Sequence, residues 1–235
     1  MFEKFKALLW LRRKIIISNK VILLQVLMPI GLTFLYKFMI DNQSEVQGDL
    51  GVPYLMICLS LAFVLAIGGP VLTVMAEEKE KNTLKVLILS GVHFFEYIMS
   101  TIFLPLIISA LYIVILPIIL DVHIENLLSY VVVCSLTIIA ILLLYILLGL
   151  LAKSQVMAQT FAVPTMLVSA FLPMLSSMNE TISKVVDYSY VGLFTKLFTQ
   201  WESFSWNKSI LQLSSLLIWI VFLLIFITAA SKEQK

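Results

Sequence analysis

Six long apolar runs divide the chain and are separated by short polar segments. They cover residues 21–40, 52–76, 100–120, 127–152, 160–178 and 210–230. Each run is close to the roughly 20 apolar residues that an α-helix needs to cross a bilayer. The pattern therefore predicts six membrane-spanning helices, with boundaries accurate to a few residues.

The composition fits a chain that is almost entirely embedded in a membrane. Hydrophobic residues make up 61% of the 235 residues and charged residues only 13%, and the mean hydropathy is +1.04. A soluble domain carries about 25% charged residues, so this chain has too few to cover a water-exposed surface. We expect a single all-α transmembrane domain over residues 1–235.

The basic residues are unevenly distributed between alternate loops. The segment before the first span carries six of them, whereas the loops 41–51 and 121–126 carry none. Because Lys and Arg favour cytoplasmic loops, we expect both termini in the cytoplasm. Fourteen Lys against two Arg, together with abundant Ile, are typical of low-GC bacterial coding, so we expect a bacterial plasma membrane.

Residues 1–20 are too charged to span, but their apolar residues recur near helical spacing. The apolar stripe consists of Phe2, Phe5, Leu8, Leu9, Ile15 and Ile16. This pattern predicts an amphipathic interfacial helix whose basic residues meet anionic lipid headgroups. Those residues are Lys4, Lys6, Arg12, Arg13 and Lys14. Arg12 falls on the apolar stripe, and a basic N-terminus that only orients the chain is the alternative.

In the second loop, charged residues give way abruptly to aliphatic ones. Acidic residues lead and lysines follow, an order that suits the helix macrodipole and an i,i+4 pair between Glu77 and Lys81. The aliphatic run 84–89 is too short to span and too apolar to lie bare in water. We therefore expect a helix that covers either the bundle or a partner chain, with a solvated turn as the alternative.

This loop resembles that of the ABC-2 type permeases, the membrane subunits of ATP-driven exporters, which reads like E-R-E-K-G-T-L-E-x-L-L. The matching residues here are Glu78-Lys79-Glu80-Lys81-Asn82-Thr83-Leu84-Lys85-Val86-Leu87. The chain differs from the family at Asn82, where Gly is common, and at Ser90-Gly91, where many members have a Pro. The overall layout of entry helix and six spans is also similar.

The resemblance implies that this loop holds a coupling helix seated on an ATP-binding subunit. The residues it places at that contact are Glu78, Glu80, Thr83, Leu84 and Leu87. It further implies an assembly of two permease subunits, identical or homologous, with two ATP-binding subunits. By its small size and layout, the chain also resembles the permeases that export amphipathic antimicrobial or toxin peptides, such as the phenol-soluble modulin exporters.

The segment between the fifth and sixth spans, residues 179–209, is too apolar for a free loop. Val191, Phe194, Phe198 and Trp201 recur at helical spacing, and aromatic residues suit a membrane interface. We expect a short interfacial or re-entrant helix on the outer side. The resemblance adds that this segment closes the outer end of the pathway, and a simple aromatic belt is the alternative.

The sequence contains no catalytic motif. It lacks a G-x-x-x-x-G-K-[ST] phosphate loop, an H-E-x-x-H helix and a G-x-S-x-G turn, and its two histidines fall on opposite sides of the predicted topology. We therefore expect no catalytic or metal-binding residues, with ATP and Mg held by the partner ATPase. The predicted spans contain no Asp or Glu, which disfavours coupling to an ion gradient.

These observations favour an exporter permease that moves a hydrophobic or amphipathic cargo, with antimicrobial or toxin peptides as the leading class. Alternating access would be driven by the separate ATPase subunit. Two other functions remain open. One is a membrane immunity or scaffold protein that sequesters amphipathic peptides without energy, and the other is an enzyme acting on lipid-linked substrates.

Overall fold

All regular elements of the described residues are helical in the computed structural model. The structure describes residues 2–42, 50–176 and 179–232. In chain order the α-helices are α1 (Phe2–Ser18), α2 (Lys20–Asp41), α3 (Gly51–Leu61), α4 (Gly69–Glu80), α5 (Thr83–Leu89), α6 (Phe94–Ile119), α7 (Leu127–Leu151), α8 (Gln155–Ser176), α9 (Glu180–Asp187), α10 (Gly192–Thr199) and α11 (Ile210–Lys232). A π-helical segment, Ala62–Gly68, joins α3 to α4, and a 3-10 turn, Trp206–Ser209, precedes α11.

Within the described residues, six helices are long and apolar enough to cross a membrane. They are Lys20–Asp41, Gly51–Glu80, Phe94–Ile119, Leu127–Leu151, Gln155–Ser176 and Trp206–Ser231. This confirms an all-α polytopic membrane protein with six spans. Most of the first loop, residues 43–49, and the predicted end of the fifth span, residues 177–178, lie outside the described residues.

Three spans begin or end several residues away from the apolar runs. The second helix continues to Glu80, the third begins at Phe94 and the fifth begins at Gln155. A helix satisfies its own backbone hydrogen bonds, so it can continue beyond the hydrocarbon into charged sequence. Hydropathy finds the apolar core of a span, whereas the helix itself is longer.

The second span lies at the centre of the bundle. Almost every side chain from Val71 to Ala76 is buried, and Ala62 and Ala66 of the π-helical segment are fully buried. A Cβ atom on Gly68 would lie 2.6 Å from Cδ2 of Tyr145, so only glycine permits this approach of α7. Small residues thus bring the other helices close to the second span.

Helix α1 packs its apolar stripe against the bundle. Leu8 is buried, and the Phe5 and Phe103 rings meet edge to face with centroids 6.1 Å apart. The opposite side of α1 exposes Trp10 and Ile17. The predicted helix is confirmed, but its stripe covers neighbouring helices, since α6 offers a complementary apolar surface.

Candidate coupling site and outer aromatic cluster

Helix α5 is separated from α4 by a turn at Lys81 and Asn82. Asn82 adopts the left-handed conformation with φ 56°. Glycine adopts this conformation at no steric cost, and Asn is among the few other residues that tolerate it. The backbone thus explains why Asn stands where the resembling family often has Gly.

A Schellman motif ends α5. The Gly91 amide donates to the Ile88 carbonyl at 3.0 Å and the Val92 amide to the Leu87 carbonyl at 3.1 Å. Gly91 has φ +84°, the left-handed conformation that this motif requires. Directly afterwards, Glu96 accepts a hydrogen bond from the His93 amide at 3.0 Å and caps α6. The short helix is therefore closed at both ends by defined turns.

The two sides of α5 differ sharply in exposure. Leu84 is buried and Leu87 packs against the core, whereas Val86 is 62% and Leu89 78% exposed. Lys85 is also exposed on this side. We call Lys85, Val86 and Leu89 the outer face of α5. Two exposed aliphatic side chains beside a lysine, on a helix held between two spans, form a candidate docking surface.

Glu78 and Arg12 form an ion pair inside the protein. Arg12 Nη1 donates to Glu78 Oε1, and both side chains are buried. Arg12 was predicted among the basic residues of the membrane surface, but burial against Glu78 removes it from that surface. Its place on the apolar stripe of α1 follows from this pairing, because the stripe is the side that faces the bundle.

The neighbouring residues of α4 hold two further helices. Lys79 Nζ donates to the Leu150 carbonyl at 2.5 Å, at the C-terminus of α7. Glu80 Oε2 accepts from the Gln155 amide at 2.8 Å, at the N-terminus of α8. A cation at a helix C-terminus and an anion at an N-terminus both complement the helix dipole. The end of α4 therefore connects α1, α7 and α8.

The predicted pair of Glu77 and Lys81 is confirmed, with 2.5 Å between Oε1 and Nζ. The carboxylate of Glu77 raises the pKa of Lys81 above its ordinary value. This pair lies at the surface and closes the last turn of α4. It joins two residues four positions apart at the end of one helix.

The residues predicted at the partner contact therefore have different surroundings. Glu78 and Leu84 are buried, Thr83 and Leu87 are half-buried, and Glu80 is exposed but bound to the start of α8. Their contact with a partner stays a prediction. The exposed positions of α5 are instead those of its outer face, and the sequence pattern could not separate the two sides of so short a helix.

The remaining basic residues of α1 are exposed. Lys4 Nζ donates to the Gly91 carbonyl at 3.0 Å, Lys6 lies 3.8 Å from Glu3, and the Lys14 ammonium lies 5.2 Å from the Trp10 ring centroid. Arg13 also lies at the surface. Contact of these residues with lipid headgroups stays a prediction, and Lys4 additionally links α1 to the end of α5.

An apolar groove of about 500 Å³ runs between α1 and α6. Its lining residues are Phe5, Phe95, Glu96, Met99, Ile102, Phe103 and Leu106. Positions 95, 99, 102, 103 and 106 form one stripe along α6, so the groove follows the axis of this span. Its size falls within the range of roughly 300–1,000 Å³ typical of small-molecule sites.

On the side of the bundle away from α5, aromatic side chains pack in a row. We define the outer aromatic cluster as Phe63, Tyr130, Phe194, Phe198 and Trp201. Successive ring centroids are 5.7 Å apart for Phe63 and Phe194, 4.7 Å for Phe194 and Phe198, and 5.1 Å for Phe198 and Trp201. Tyr130 meets Trp201 at 6.0 Å. Helix α10 thus inserts its aromatic face between the second and fourth spans.

The outer segment forms two short helices where the pattern predicted one. Val191 is the N-cap of α10 and is buried, while Trp201 follows its last turn and donates to the His123 carbonyl at 3.3 Å. Between the helices, the Tyr190 and Ser169 hydroxyls are 2.5 Å apart. Burial raises the pKa of Tyr190 above its ordinary value. The gating role of the segment stays a prediction.

Comparison with known proteins agrees with the layout. A family sequence model described as ABC-2 family transporter protein matches residues 6–231. Comparison with curated proteins gave no match, and comparison with solved structures gave none either. The matched range contains all six spans together with α5 and α10. Permeases of this family are the membrane components that associate with a separate ATP-binding subunit. The chain is therefore a multi-pass membrane protein and belongs to the ABC-2 family of transporter proteins.

Proposed function

We propose that this chain is the permease subunit of an ATP-driven exporter and that the outer face of α5 is the surface on which the ATPase sits. The observation that carries the proposal is the exposure of Val86 and Leu89 at the end of the most buried span. Aliphatic side chains in such a position lower their free energy when a partner covers them. The proposal places both termini and α5 in the cytoplasm of a bacterium.

In this mechanism, ATP binding closes the ATPase pair and displaces α5. Because α5 follows α4 after a turn of two residues, the displacement acts on the central span. Glu78, Lys79 and Glu80 connect that span to α1, α7 and α8, so several helices move with it. This is alternating access by rearrangement of packed helices.

The working assembly contains two permease subunits, identical or homologous, and two ATPases. The first and fifth spans support the second copy, since they leave wide apolar faces uncovered. The exposed residues include Leu24, Phe34 and Phe38 of α2 and Val163, Val168 and Phe171 of α8. Both spans pack against the second span, so a second six-helix half that covers these faces completes the pathway.

The cargo in this proposal is hydrophobic or amphipathic, and antimicrobial or toxin peptides are the leading class. The apolar groove between α1 and α6 supports this choice, because its lining offers contacts to apolar groups. The outer aromatic cluster then acts as the outer closure, since its packed rings exclude water from that end. Release of cargo requires α10 to move away from Phe63 and Tyr130.

The test is capture of the ATPase by the tagged chain from its native membrane in mild detergent. We expect a P-loop ATPase in about equal amount, with vanadate-sensitive ATP hydrolysis. Leu89→Asp places a charge on the outer face of α5 and should abolish capture. Leu128→Asp is the matched control, because Leu128 is similarly exposed at 71% but lies at the opposite end of the molecule.

Three outcomes would count against the proposal. Capture that is unchanged by Leu89→Asp would remove the outer face of α5 as the docking surface. Absence of any ATPase from the wild-type preparation would remove the exporter function. Protection against an amphipathic peptide that persists without an ATPase would favour the energy-independent scaffold instead.

A further inference from the structure

Three polar side chains from three helices meet in the interior near the start of α5. Arg12 of α1, Glu78 of α4 and Tyr97 of α6 are 2%, 5% and 0% exposed. Besides the ion pair between Arg12 and Glu78, the guanidinium carbon of Arg12 lies 5.0 Å from the Tyr97 ring centroid. We call these residues the buried polar cluster.

Stability alone does not account for this cluster. Burial of two charges carries a large desolvation cost, and well-packed apolar residues in place of a buried ion pair are often equally stable or more stable. Within the described residues, Arg12 Nε and Nη2 have no hydrogen-bond partner, whereas the Tyr97 hydroxyl interacts with the side chains of both Glu78 and Arg12. A cluster that leaves buried donors unmatched needs a reason other than stability.

The position of the buried polar cluster next to α5 indicates a functional reason. Glu78 lies five positions before Thr83, the first residue of α5, on the rigid end of α4. Its two neighbours lie on α1, which Lys4 links to Gly91 just after α5, and on α6, which follows α5 in the chain. The charge-assisted contact is directional, so it fixes the rotation of α4 relative to α1 more closely than apolar packing would. A displacement of α5 must therefore act first on this cluster.

We propose that Arg12, Glu78 and Tyr97 are positioning residues that carry a displacement of α5 into α6. Arg12 keeps two unmatched donors beside the Glu78 carboxylate and the Tyr97 hydroxyl, so the same cluster can form a second hydrogen-bond arrangement when α4 turns. The inference rests on the proposed function, because it assigns the route by which ATPase movement at α5 reaches the spans. None of the three residues lies on the docking surface.

The test uses the complex with the captured ATPase and the double variant Arg12→Met with Glu78→Leu. Spin labels on cysteines introduced at Ser90, the C-cap of α5, and at Leu151 report the separation of α5 from α7. Labels at Phe95 and Leu151 report that of α6 from α7. All three positions are exposed and lie outside the outer face of α5, whereas the native Cys58 and Cys134 are buried and should not react. Each distance is measured without nucleotide and after trapping with ATP and vanadate.

In the wild-type complex we expect both distances to change on trapping. In the double variant we expect normal ATPase capture and thermal stability and a retained change between α5 and α7. The change between α6 and α7 should be lost. A double variant in which both distances change as in the wild type would overturn the inference while leaving the proposed function intact. Failure of the wild type to capture an ATPase would instead refute the proposed function.

A matched control replaces the ion pair at the other end of the molecule. Lys37 Nζ lies 2.5 Å from Asp121 Oδ2, and Lys37→Met with Asp121→Asn, a residue that tolerates the positive φ at this position, should leave both changes as in the wild type. If the Arg12 and Glu78 variant does not fold, Tyr97→Phe decides the question, because it removes one oxygen atom and keeps the ion pair. A reduced change at α6 supports the inference, and a wild-type change overturns it.

Discussion

Two parts of the second span are held by different kinds of interaction. At the end next to α5, the consecutive side chains of Glu78, Lys79 and Glu80 each bind a different helix through a charge. Near the middle of the span, Phe63 meets Phe194 in a row of aromatic rings with centroids about 5 to 6 Å apart. The charged end depends on directional contacts, and the aromatic part depends on packed area.

This difference fits what each part has to do. A charge-assisted contact is directional, so the partner helix must follow a rotation if the contact is to be kept. Aromatic rings bury a large area and tolerate several packing angles, so they exclude water without fixing a single orientation. The comparison predicts that substitutions in the two parts should fail in different ways.

The largest effect is expected at Glu78. Glu78→Ala leaves the Arg12 guanidinium buried without its partner, which should destabilise the protein by about 3–5 kcal/mol. Unfolding in increasing SDS measures the change, and Glu202→Ala, at an exposed position in a turn, serves as control. Glu78→Gln should also be strongly destabilised, since shape alone does not replace the charge. A loss below about 1 kcal/mol would mean that the pair is screened by water.

The next largest effect is expected in the outer aromatic cluster. Phe194→Ala removes a buried ring and should cost about 3 kcal/mol. Phe194→Met retains most of the volume and should cost less than about 1.5 kcal/mol. Unfolding in increasing SDS measures the loss of stability of both variants. Equal losses for the two variants would show that ring geometry, and not packed volume, holds this part.

A smaller effect is expected at Lys79. Lys79→Met removes the cation from the C-terminal carbonyls of α7 and should cost about 1 kcal/mol. Hydrogen exchange should be faster in the last turn of α7 and unchanged at its start. Exchange that increases along the whole of α7 would assign Lys79 a role in the core rather than at the helix end.

No measurable effect on stability is expected at Lys81. Its ion pair with Glu77 is exposed, and exposed pairs of this type are screened by water and salt. The midpoint of thermal unfolding of Lys81→Ala should match the wild type. A lowered midpoint would extend the group of structurally important charges beyond the three buried or bridging residues.

Hydropathy and charge order were sufficient for the six spans, α1, α5 and the pair of Glu77 with Lys81. These features depend on local sequence, either on runs of about 20 apolar residues or on spacings of three and four. The position of the second span at the centre was not predictable, although its most apolar stretch is 83% buried against 17% for the first span. All six runs are apolar, so hydropathy cannot rank them by depth in the bundle.

The site was predictable only in part. Arg12 and Glu78 are 66 residues apart, and no local pattern joins them. The single signal was that Arg12 interrupts an apolar stripe, which indicates a buried partner without naming it. Tyr97 gave no signal, since an aromatic residue at the start of a span is ordinary. The two sides of α5 became distinct only in the folded structure, where Leu84 is buried and Leu87 packs against the core.

The π-helical segment sets the angular phase between the two ends of the second span. Each residue of an α-helix turns the chain by about 100°, and a π-helical segment accommodates one residue more than a regular helix would. If residues 62–68 formed a regular α-helix instead, Glu78 would be rotated by roughly a quarter turn relative to α3. The aromatic part and the charged end can therefore both meet their partners only with the π-helical geometry of this segment.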